Sequence, residues 1–264
     1  MRMMWFAAAL AIFGAAGLRS EIHDVLKSSE IESRLAKVKG SSIVHQRPNF
    51  SILLGSQEGD GAPETHGDMD EVLFIRRGSG SLWLDDRKYE ISSGDVVNVK
   101  RKTACRMAAP SGRIEYVAVR VAPAQEGHTA SGIRPGPRTM PDVLRGSEID
   151  GTFAKFESNQ PIHSAPNFTM NYVIYSGHAG PWEAHKGCVD IYFLKIGTAT
   201  SELGGQIQHP KEESPGEPRG DGVTGARRHS VGPGDIVVIP RETAHHMQPT
   251  SAKLGYLLLK VWAE

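Results

Sequence analysis

Residues 183–197 read EAHKGCVDIYFLKIG, and residues 234–246 read GDIVVIPRETAHH. These two stretches decide the fold. Branched and aromatic residues alternate with polar ones and give way to Gly, Pro and Asp within a few positions, the pattern of short strands joined by tight turns. Side chains two apart on a strand share a face. Glu183 and His185 therefore point together, with Ala184 opposite, and Asp190, Tyr192 and Leu194 share a face against Ile191 and Phe193.

Both stretches occur twice. ETHGDMDEVLFIRRG at 64–78 matches the first at a spacing of 119, and GDVVNVKRKTACR at 94–106 matches the second at 140. Upstream, Asp24-Val25-Leu26 and Pro48-Asn49-Phe50 recur 118 residues later as Asp142-Val143-Leu144 and Pro166-Asn167-Phe168. A spacing that jumps only twice is a duplication with one long insertion. A period above a hundred residues means two whole domains rather than a solenoid. The division is 20–121 and 140–264, with 122–139, rich in Pro and Gly, as linker.

FSILLG at 50–55, FTMNYVIY at 168–175, EYVAVRV at 115–121 and GYLLLKVW at 255–262 add strands to each copy. Many short strands with no helix between them predict an antiparallel sandwich or barrel. Each copy opens with helical character, over 22–35 and 140–153, with Asp24 and Asp142 as N-caps or first-turn acids. The insertion, Gln206 to His229, is polar and sits at a hairpin tip that the first copy closes through Asp85-Asp86-Arg87-Lys88; it reads as decoration or a flexible lid. His209 and His229 within it read as solvent-exposed.

The 264 residues are 39% hydrophobic, enough for a core in each half. Lys plus Arg and Asp plus Glu both number 30, and no basic run stands out, which argues against nucleic acid and for a small-molecule ligand or substrate. Arg2 and the apolar run Met3 to Phe13, followed by Gly14 to Gly17, read as a signal peptide over 1–19, cleaved near Ala16 to Leu18. The run is too short for a stable membrane span. Export to the periplasm or the extracellular space is expected, and a homodimer is compatible with the sequence. Cys105 and Cys188 fall in different halves and read as two separate thiols.

The duplicated motifs resemble those of the cupin superfamily. Its first motif runs His-x-His, three or four residues, Glu, six residues, Gly; its second runs Gly-Asp, then a Pro and a His five residues later. The second copy supplies Glu183-x-His185, Asp190 and Gly197, then Gly234-Asp235, Pro240 and His245. Its register makes His185 the second histidine, so Glu183 replaces the first and Asp190 replaces the family's Glu. The resemblance implies an all-β fold: a bicupin of two tandem double-stranded β-helix (jelly-roll) barrels, each preceded by a short helix. It also implies that Glu183, His185, Asp190 and His245 converge on a divalent transition metal: Fe, Mn, Ni, Cu or Zn. A polar interior bonded to water or ligand would use the same residues. In the first copy Glu64, His66, Glu71 and Cys105 are a weaker second set, with Lys100 in place of the proline, so that barrel reads as degenerate.

Alternation makes Tyr192 and Glu183 candidates for proton transfer, Met247 a packing residue on the face of His245, and His246 outward-pointing. His178 and Trp182 are candidates for the mouth. The function implied is a metal-dependent enzyme on a small polar or aromatic molecule, of oxygenase, decarboxylase, isomerase or lyase class. The alternative is a non-catalytic ligand-binding protein, since fold alone does not fix function.

Overall fold

The computed structural model describes residues 25–65, 67–124 and 136–262. Residues 1–24, which hold the expected signal peptide and helix start, His66 and most of the expected linker fall outside them.

The described chain is nearly all β, with two helices, α1 (Ser28–Leu35) and α2 (Gly146–Lys155). One sheet runs in the order Val143–Leu144, Val96–Val99, Asp70–Arg77, Ala104–Val121, Phe50–Asp60, Gly40–Gln46. A second runs Val25–Leu26, Ile236–Ile239, Cys188–Ile196, Lys253–Trp262, Phe168–Ser176, Gln160–Ser164. Strand for strand, the two orders correspond.

The outermost strand of each sheet comes from the far half of the chain. Val25–Leu26 pairs with Ile236–Ile239, and Val143–Leu144 pairs with Val96–Val99. The helices follow the same exchange. Asp235 Oδ1 accepts the Ser28 N–H of α1 at 2.7 Å and its other oxygen pairs with Lys27, while Asp95 Oδ1 accepts the Gly146 N–H of α2 at 2.8 Å. Each Gly-Asp motif thus caps the helix that opens the other half, satisfying a backbone donor that the helix cannot satisfy itself. The glycine is needed for the approach: a Cβ on Gly234, at φ +87°, would lie 2.5 Å from Ser28 Oγ.

This corrects the helix starts. Helix α1 begins at Ser28, and Asp24 lies outside the described residues; Asp142 does not cap α2. Helix α2 begins at Gly146, and Asp142 instead accepts the Tyr89 hydroxyl at 2.6 Å and pairs with Arg87.

Alternation holds in the strand Cys188–Ile196. Tyr192 and Leu194 lie in the apolar interior of the second half with Tyr256 and Met247. Ile191 and Phe193 lie in the largest core cluster, which joins the halves and in which Phe74 and Phe193 stack at 3.6 Å. Their outward face is thus a buried seam rather than surface. The insertion is structured: its strands Lys211–Ser214 and Glu217–Gly220 extend the sheet that carries Trp182–Glu183 and His245–Pro249. No helix among the described residues is long and apolar enough to cross a membrane.

Candidate metal centre

Strand pairing brings the second-half residues together. Glu183 stands opposite His245 on one neighbouring strand and opposite Arg219, from the insertion, on the other. His185 follows two residues on, held by its carbonyl accepting the Glu242 N–H at 2.8 Å. Glu183 Oε1 lies 3.8 Å from His185 Nε2 and 3.7 Å from His245 Nε2. Among the described residues, Glu183, His185 and His245 form the group whose donor atoms could share one metal ion, all lying within 4.8 Å of one another.

Both imidazoles are oriented from behind. His245 Nδ1 is 3.0 Å from the Thr243 carbonyl, which can only accept, so Nδ1 carries a proton and Nε2 is the ring nitrogen that faces inward. That Nε2 is buried with no hydrogen-bond partner among the described residues. His185 Nδ1 is paired with the Glu217 carboxylate. Outer partners of this kind fix metal-ligating histidines. An orphaned, inward-facing nitrogen beside a second imidazole and a carboxylate fits a divalent transition metal.

Asp190 comes to the same place under different terms. Its Oδ2 is 3.4 Å from His185 Nε2, but Lys260 Nζ lies 3.0 and 3.2 Å from its two oxygens, and the Tyr192 hydroxyl donates to it at 3.3 Å. The charges are strongly coupled. Burial alone would raise the Glu183 carboxyl, but His245, His185 and Lys260 outweigh it and hold it at about 2. Burial would lower His185, but Asp190 and Glu217 lift it to about 9. Burial opposes the Asp190 charge as well, yet Lys260 and His185 keep its carboxyl well below the usual range. Tyr192 is pushed well above its ordinary value, first by burial, then by Tyr256 and Asp190.

A cavity of about 360 Å³ opens onto Glu183, His185, Asp190 and Tyr192, with Thr169, Asn171, Tyr175, Tyr256 and Arg219 among its walls. Arg219 Nε donates to Glu183 Oε2 at 3.1 Å. Neither Glu217, Arg219 nor Lys260 was picked out by motif spacing. The insertion's two residues have no counterpart in the first copy, but Lys260 had a signal: it lies 140 residues after Arg120, the spacing of the second motif.

The other candidates are scattered. His178 is exposed beside Tyr175. Trp182 stacks on His246 at 4.0 Å, so His246, although turned away from His245, is buried, with Nδ1 3.0 Å from Glu202. Met247 packs in the core. His209 is exposed, whereas His229 is half-buried with its Nε2 shut away from solvent, a correction to its reading as surface; it stands opposite the buried Ser201.

In the first half Glu64 stands opposite Cys105, and His66 lies outside the described residues. Glu71 is taken by Arg120, whose Nε donates at 2.7 Å. The space left is about 50 Å³. Burial, reinforced by Glu71 and Glu64, pushes the Cys105 thiol up to about 12. Cys105 and Cys188 are both free and buried.

Residues 47–164, less than half of the chain, match the family model of the AraC-like ligand binding domain. No curated protein matches the chain. Among solved structures it is similar to a salicylate 1,2-dioxygenase from Pseudaminobacter salicylatoxidans, at 8% identity and TM-score 0.64, covering 90% of this chain and 83% of that one. It is also similar to a cupin 2 conserved barrel domain protein from Leptotrichia buccalis (14% identity, TM-score 0.58, covering 90% and 95%). A putative glyoxylate induced protein from Pseudomonas aeruginosa matches at 12% identity and TM-score 0.58, covering 90% and 88%. Identities this low show the fold alone: the chain has a cupin-type barrel fold.

Proposed function

We propose that the chain is an exported bicupin whose C-terminal barrel holds a divalent transition metal on Glu183, His185 and His245, and that it is a metal-dependent enzyme acting on a small polar or aromatic molecule. The observation that carries this reading is His245 Nε2, buried without a partner and aimed at Glu183 3.7 Å away. A bound metal supplies Lewis-acid or oxygen-binding chemistry at that point. The chain's own residues do the positioning. Glu217 and Thr243 hold the two rings. Glu183, kept ionised by its neighbours, serves better as a ligand than as an acid. Tyr192 keeps its proton and acts as a hydrogen-bond donor to Asp190. The tyrosine-lined cavity suits a small planar or polar ligand. A related fold supports this, since salicylate 1,2-dioxygenase structures include a gentisate adduct.

A second reading, a non-catalytic ligand binder, is favoured by the match of 47–164 to a ligand-binding domain and by the cation that fills the first-half site. Elemental analysis of untagged protein, followed by turnover assays on small aromatic and hydroxy acids before and after chelation, separates the two. The enzyme reading expects one metal per chain and chelator-sensitive turnover. Full turnover without metal contradicts it, and no metal with ligand binding intact supports the binder.

A further inference from the structure

Asp190 stands where a fourth ligand is expected, yet its charge is already answered within the protein. Lys260 faces Asp190 directly across the sheet, so the pairing is set by strand register rather than by a chance side-chain rotamer. Lys260 Nζ bonds both carboxylate oxygens, and Cys188 Sγ, 3.5 Å from Oδ1, closes the far side. Whether or not His185 carries a proton on Nε2, Lys260 and Tyr192 donate to Oδ2 at 3.2 and 3.3 Å, which takes up both lone pairs of that oxygen. Turning it toward a metal would strand a lysine whose side chain is only 16% exposed beside a second cation.

The first half makes the same arrangement. Glu71 faces Arg120 across the sheet, and Arg120 Nε donates to it at 2.7 Å. The carboxylates are 119 residues apart and the cations 140, the spacings of the two motifs. The halves differ at Cys105 and His245 but agree on a cation set against this carboxylate.

We infer that Lys260 is a positioning residue that holds Asp190 off the metal, so that the centre has three protein ligands and leaves its remaining coordination positions to the small-molecule ligand. This rests on the metal centre proposed above. Lys260 acts on the metal through Asp190, not as a ligand to it. In the first half the same device uses Arg120.

Cobalt(II) is the probe: its uptake, its affinity against a competing chelator, and the response of its visible spectrum to azide as an exogenous ligand. Lys260→Met frees Asp190 to bind, so affinity tightens about tenfold or more and azide no longer perturbs the spectrum. Lys260→Arg keeps the wild-type spectrum and azide response. The paired variant Asp190→Asn/Lys260→Met, which removes both charges together, keeps one cobalt per chain at close to wild-type affinity. Loss of about a hundredfold or more in a folded paired variant would make Asp190 a ligand and overturn the role of Lys260 alone. An unchanged affinity and azide response in Lys260→Met would overturn it too. Wild-type protein that takes up no cobalt would instead overturn the metal centre itself.

Discussion

Replacing Asp235 by alanine should loosen the joint between the halves while leaving the metal-site residues untouched. Three bonds go. Oδ1 no longer accepts from Ser28 N, 2.7 Å away, so α1 loses its cap at a cost of about 1 kcal/mol. Oδ2 no longer accepts from Gly232 N, 3.0 Å away, which leaves another partly buried donor unmet at a cost of about 1 kcal/mol. The ion pair with Lys27, whose side chain is 48% exposed, adds at most about 0.5 kcal/mol after solvent screening. The sum is about 2–3 kcal/mol. For a chain of this size it lowers Tm by roughly 5–10 °C. Asp95→Ala should match it, since Asp95 makes the equivalent bonds to Gly146 N and Arg145. The assay is thermal unfolding followed by circular dichroism on metal-free protein, so that lost metal cannot imitate lost capping. A fall below about 2 °C in both variants would refute the reciprocal cap as a structural tie.

Glu217→Gln should weaken metal binding about 10–100-fold, because the outer partner of His185 Nδ1 loses its charge; chelator competition measures it. Metal-free protein should show pH-dependent stability from His185. Its pKa is raised from 6.5 to about 9, so the stabilisation is fully present below about 6.5 and is lost as pH rises through 9. The metal must displace that same proton, so its apparent affinity should rise by up to about tenfold per pH unit between roughly 7 and 9. Calorimetry in buffers of different ionisation enthalpy should count one proton released per metal bound.

How much of this the sequence shows depends on the range of the interaction. Alternation within one strand sorts Tyr192 and Leu194 from Ile191 and Phe193 correctly, because the pleat is local. It does not reveal that the outward face is a seam, since that depends on Phe74, from the other half, arriving against Phe193. The start of α2 is misread for a similar reason: the acid that bonds its first N–H is Asp95, 51 residues away, and local spacing draws attention to Asp142 instead. Glu217 and Arg219 sit in an insertion without a repeat partner, where polarity suggests solvent, yet both reach the site. Lys260 hides among the apolar residues of its strand. Only the coincidence of two spacings, Glu71 with Asp190 and Arg120 with Lys260, marks it.

The most direct test is a crystal of the protein grown with its metal and an anomalous difference map recorded at that metal's absorption edge. One peak is predicted, in the second half, bounded by Glu183 and the Nε2 atoms of His185 and His245. A peak beside Glu64, Glu71 and Cys105, or none in a crystal of protein shown to contain metal, would contradict the centre.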